Sequence, residues 1–163
     1  MKYNNAPLTE RKIVFWGLVA FFVALFISYK VDAATMTDLI LAIEKVESNG
    51  DASAYNESEK ALGSLQIRPI MVEDYNRIYG TNLKHEQMSN RLTSHNVAIG
   101  IFHHYGKYVE RNGETLNAKH LAFVWNGGGS AWKRVANPKS DEKQKRLEIY
   151  WTKVSKYLNW IIL

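Results

Sequence analysis

The chain has 163 residues, enough for one compact domain with its own core and too few for two of comfortable size. It contains no cysteine, which excludes disulfide staples and thiol chemistry. Its net charge of +5 favours an anionic partner, but no dense Lys/Arg stripe supports nucleic-acid binding.

The first feature in chain order is the charge-free run from Ile13 to Tyr29, preceded by Lys2, Arg11 and Lys12 and followed by Lys30. With Val31-Asp32-Ala33 and Ala34 behind it, this reads as a secretory signal peptide cleaved near Ala33. The run also reaches the lower length limit of a bilayer span, so an uncleaved inner-membrane anchor through residues 13–29 is the competing reading. Either way residues 1–34 serve export, and residues 35–163 form a single mainly helical domain outside the cytoplasm.

In that domain Thr37 or Asp38 is a candidate cap for a helix with Leu39, Ile40, Ile43 and Val46 at three-to-four spacing. Ser48-Asn49-Gly50 stops it, with Gly50 suited to a left-handed turn. A polar loop runs from Asp51 to Lys60, where a short hairpin is compatible with the pattern. Pro69 opens a helix that continues from Ile70 to Tyr79 and ends at Gly80. Further helices are predicted over Asn96–Val109, Ala118–Trp125 and Glu142–Trp160. The last turns Leu147, Tyr150, Val154, Tyr157 and Leu158 inward.

Glu47 lies four residues after Ile43 and seven after Ile40, on the apolar face of the first helix and near its C-terminal end. Burial and the negative end of the helix dipole both disfavour a carboxylate there. An acid kept protonated near neutral pH is what glycosidic cleavage requires, because the leaving oxygen must receive a proton. The alternative reading is a boundary glutamate whose head group reaches solvent.

Glu47-Ser48 is followed by Gly63-Ser64-Leu65-Gln66-Ile67, then Asn96-Val97-Ala98-Ile99-Gly100, then Phe123-Val124-Trp125-Asn126-Gly127-Gly128, then Tyr150. This ordered set resembles the catalytic domain of the soluble lytic transglycosylases and goose-type lysozymes. That family carries a Glu-Ser pair, a Gly-Leu-Met-Gln segment, an Asn-Ile-x-x-Gly helix, an Ala-Tyr-Asn-Gly turn and a late tyrosine. The chain departs from it at Ser64-Leu65, at Phe123-Val124-Trp125 and at Asn49-Gly50-Asp51.

The resemblance, spanning roughly residues 37 to 158, implies a lysozyme-like α or α+β domain acting on peptidoglycan glycan strands without a cofactor. It implies Glu47 as the sole acid and later base, cleaving the MurNAc–GlcNAc β-1,4 bond to a 1,6-anhydro product. Ser48 would bond substrate or orient Glu47, Gln66 would donate to an N-acetyl sugar, Asn126 would contact the glycan, and Tyr150 would set its hydroxyl near Glu47. Against these stand a polar helix end at Ser48, a solvent-exposed loop glutamine, a simple C-cap at Asn126 and a core tyrosine. Hydrolytic muramidase action is the alternative chemistry if a loop carboxylate such as Asp51, Glu57 or Glu59 holds a water. A non-catalytic glycan-binding assembly protein is the alternative class. Bacterial wall remodelling, a secretion apparatus and phage lysis are all compatible contexts.

Other signals are weaker. His103 and His104 are adjacent, so a helix points them about 100° apart, and no His-Glu-x-x-His occurs; no metal site is predicted. Trp125 and Trp132 either stack on sugar rings or pack in the core. Lys133, Arg134, Lys139, Lys143, Lys145 and Arg146 read as a solvated basic face, with contact to wall phosphates or anionic lipid as the other reading.

Overall fold

A computed structural model of the protein describes residues 36–161, with side-chain surroundings given through residue 158. The run Ile13–Tyr29 and the segment near Ala33 lie outside the described residues. Among those described, no helix is long and apolar enough to cross a membrane.

The first helix among the described residues, α1, covers residues 36–47 of them. It is already helical at residue 36, so Thr37 and Asp38 sit inside it and neither acts as its cap. Leu39, Ile40, Ala42 and Ile43 are buried, as the spacing predicts. Asn49 and Gly50 turn the chain with φ of 60° and 86°, and the Gly50 amide returns to the Glu44 carbonyl at 3.2 Å.

A minimal antiparallel hairpin follows, β1 (Tyr55–Asn56) and β2 (Ala61–Leu62), with Tyr55 opposite Leu62 and Asn56 opposite Ala61. Leu62 then exchanges both backbone hydrogen bonds with Ile67, which folds residues 63–66 into a tight loop. Helix α2 (Pro69–Tyr79) begins on its proline and ends at Gly80, as predicted. A 3-10 turn at His85–Ser89, which the sequence pattern does not reveal, buries Met88.

Helix α3 (Arg91–Arg111) is longer than the predicted Asn96–Val109. Most of the difference arises at its N-terminus, where the Asn90 side chain accepts from the Thr93 amide at 3.0 Å and supplies the cap. α2 packs closely on α3 at Gly100, where an added Cβ would lie 2.5 Å from the Tyr75 ring. Tyr79 also donates to the Gly100 carbonyl at 2.8 Å. The glycine of the Asn96–Gly100 motif is therefore a contact point between helices.

Helix α4 (Ala118–Gly127) is capped by Asn117 and buries Leu121 through Trp125 without interruption. A helix that is apolar on all sides belongs at the centre, and α4 packs against both α3 and α6. It runs to Gly127 and so includes Asn126 in its last turn. The short α5 (Lys133–Ala136) links it to α6 (Glu142–Ile161). On α6, Leu147, Tyr150, Val154 and Leu158 are buried as predicted, and Tyr157 is half-buried. The described fold is mainly helical with one small hairpin.

Candidate active site

Glu47 closes the C-terminal turn of α1 and forms the floor of a cleft of about 480 Å³. The hairpin contributes Asn56, Glu59 and Ala61 to one wall, continued by Gln66, Arg68 and Met71. The rest of the lining comes from the C-terminal end of α4, with Trp125, Asn126 and Gly127, and the first turns of α6, with Lys143, Arg146 and Leu147.

Tyr150 meets Glu47 without itself lining the cleft. It is 7% exposed, and its hydroxyl donates to Glu47 Oε1 at 2.7 Å. Burial, together with the neighbouring Glu47 charge, raises the tyrosine hydroxyl well above its ordinary value, so it remains a donor. Glu47 itself is raised above the usual carboxylate range, first by burial and further by the Glu59 charge. The Tyr150 hydrogen bond and the Arg68 and Lys153 charges oppose this without overcoming it.

One turn before Glu47 lies Glu44, 2% exposed and shifted the other way. Burial works against its charge, but hydrogen bonds from Arg91, Ser64 and His95 outweigh it and hold the carboxyl at about 2. Arg91 reaches Oε2 through Nη2 at 2.6 Å, His95 Nε2 lies 2.8 Å from Oε1, and the Ser64 hydroxyl donates to the same oxygen. Sequence reasoning missed this residue. Its signal was present, since Glu44 follows Ile40 by four positions and shares the buried face.

Ser64 joins the two glutamates' surroundings. While its hydroxyl serves Glu44, its carbonyl accepts the Ser48 hydroxyl at 2.8 Å. Ser48 is thus committed to pinning the 63–66 loop onto α1; its hydrogen goes neither to Glu47 nor to the cleft. A leucine at position 64 would leave the buried Glu44 short of a donor.

Gln66 adopts φ of 48°, and its amide nitrogen donates to the carbonyls of Ala54 at 3.1 Å and Gly63 at 2.9 Å. Both of its side-chain hydrogens are engaged by main-chain carbonyls here, and its side-chain carbonyl oxygen has no partner among the described residues. The tight loop arranges this by aiming two main-chain carbonyls at the side chain.

Asn126 lines the cleft, is exposed, and has no side-chain partner among the described residues. Trp125 is 3% exposed with its ring edge-on to Phe102 at 5.4 Å, and Trp132 is 7% exposed. Both indoles pack largely in the core, Trp125 touching the cleft lining only at its edge and Trp132 not lining it.

The structure therefore brings Glu47, Gln66, Asn126 and Tyr150 together and sets Ser48 behind the loop. It also gathers Ser64, Arg91 and His95 around Glu44 and adds Glu59 and Arg68 to the cleft lining. A family model described as the transglycosylase SLT domain matches residues 24–147, ending just before Tyr150. Comparison with curated proteins finds no match.

Proposed function

The chain belongs to the transglycosylase SLT domain family, and from that premise we propose that Glu47 is its acid and then its base in cleavage of the MurNAc–GlcNAc β-1,4 bond. Lytic transglycosylase-type cleavage of peptidoglycan glycan strands is the activity of the family. The observation that carries the residue assignment is a carboxyl raised by burial at the cleft floor, with one oxygen held by Tyr150.

Because Tyr150 donates to Oε1, the acid proton of Glu47 belongs on Oε2. Glu47 gives that proton to the glycosidic oxygen as the bond from the anomeric carbon breaks. The substrate's acetamido oxygen supports the developing positive charge. The Glu47 carboxylate then takes the proton of the muramic 6-hydroxyl, whose oxygen bonds to the anomeric carbon. No water is consumed, and the product is a 1,6-anhydro sugar. Asn126 and the Gln66 carbonyl oxygen orient the acetamido groups along the cleft. The charge-free run Ile13–Tyr29 supports delivery to the periplasm, where this substrate lies.

A hydrolytic muramidase reading is favoured by one observation, the presence of Glu59 in the same cleft. Glu59 is, however, within 3.7 Å of Arg68, which competes for its charge. Mass spectrometry of digested peptidoglycan distinguishes the two, since anhydro products are lighter by one water. Glu47→Gln is expected to reduce product formation about a thousandfold, the scale of a lost general acid. Equal digestion by the variant and the native protein would remove Glu47 from the mechanism. Binding by both without cleavage would point to a glycan-binding protein.

A further inference from the structure

The basic residues grouped near the start of α6 are not equivalent once folded. Arg134 is paired with Asp141 at 2.7 Å and Lys145 with Glu142 at 2.7 Å. Lys143 and Arg146 instead line the cleft, and neither has a carboxylate partner among the described residues. Lys143 is tethered at the rim by donating to the Gly127 carbonyl at 3.0 Å, beside Asn126.

Positions 143, 146 and 150 share one face of α6, and Tyr150 marks the catalytic end by its bond to Glu47. At the rise of an α-helix, Arg146 is about 6 Å and Lys143 about 10 Å along the axis from Tyr150. That range is commensurate with a sugar one or two units from the scissile bond. The opposing carboxylate in the cleft, Glu59, is answered by Arg68 on the far wall. The α6 wall is therefore cationic and unneutralised, in a cleft whose polymer alternates a plain sugar with one that carries carboxylates.

We propose that Lys143 and Arg146 form a carboxylate subsite that receives the anionic substituent of a muramic acid near the scissile bond, and so select substituted strands over uncharged ones. This rests on the glycan-cleavage reading above and adds to it the part of the substrate that is read by charge. The carboxylate comes either from the peptide stem or, on stripped strands, from the lactyl group itself.

The test is calorimetric titration of the full chain in a Glu47→Gln background with three soluble ligands: stem-bearing glycan strands, strands stripped by an amidase, and chitin hexaose, which has no carboxylate. Arg146→Gln is expected to weaken binding of carboxylate-bearing strands about three- to tenfold and to flatten its salt dependence, while chitin hexaose binding changes less than about twofold. Arg146→Lys, which keeps the charge, should recover most of the loss. Loss on stem-bearing strands alone assigns the stem carboxylate, loss on stripped strands alone assigns the lactyl carboxylate, and loss on both shows that the subsite takes either. An equal loss on all three ligands, or none on the carboxylate-bearing strands, overturns the proposal. Failure of the Glu47 assignment would show separately, as cleavage products in the titration cell.

Discussion

Glu44 and Glu47 occupy successive turns of α1, and their carboxyl groups are driven in opposite directions. Glu44 meets three donors and stays ionised; Glu47 meets burial and one tyrosine and is raised. If the protonated Glu47 carries cleavage, activity falls as pH rises through its raised pKa. Tyr150 donates to the carboxyl and so favours its ionised form. Tyr150→Phe should therefore move the alkaline limb of the pH–rate profile upward, while lowering kcat about tenfold through lost positioning. A limb that stays in place, or moves to lower pH, would show that the tyrosine does not act on this proton.

At the scale of elements, the site depends on a loop clamped between helix and hairpin. Gly63 has φ of 82°, and a Cβ on it would meet the Met88 carbonyl oxygen at 2.1 Å. Its own carbonyl accepts both the amide and the side-chain nitrogen of Gln66. A main-chain neighbour cannot swing away as a flexible side chain does. Gly63→Ala should therefore cost about 3 kcal/mol or more in urea unfolding and weaken glycan binding through Gln66. A loss below about 1 kcal/mol would mean that the loop and the 3-10 turn separate easily. The early start of α3 matters for the same site, because its extra first turn carries Arg91 and His95 to Glu44.

For the whole molecule, the Glu44 cluster ties α1, the 63–66 loop and α3 into one unit around the cleft. Its carboxyl is lowered from 4.5 to about 2 on folding. A lowered carboxyl contributes stability that is present above the unfolded value and lost as pH falls through the folded one. The shift corresponds to about 3 kcal/mol, fully present above about pH 5 and gone by about pH 2. Glu47 acts with the reverse sign, since its raised carboxyl costs stability as pH climbs above the unfolded value. Comparing urea unfolding of the native protein and Glu44→Gln across acid pH checks this. The native advantage should shrink steadily below about pH 4.5; a constant difference would show that Glu44 does not stabilise through its charge.

Much of this architecture was legible in the residues alone. The buried positions of α1 and α6, the proline start of α2, the glycine turns and the placing of Glu47 on an apolar face follow from local period and local capping, which the chain carries in its own order. The start of α3 is not legible in the same way, because the Asn90 cap precedes the apolar stripe by several residues. The 3-10 turn has no periodic signature. What the tertiary structure alone decided is which groups face one another across large separations. Tyr150 reaches Glu47 over 103 residues, Arg91 reaches Glu44 over 47, Gln66 spends its hydrogens on main-chain carbonyls, and Trp125 turns into the core. Spacing along a helix selects the face a side chain shares; the partner waiting at that face, and hence the proton it keeps or loses, is set by packing between segments that no local pattern encodes.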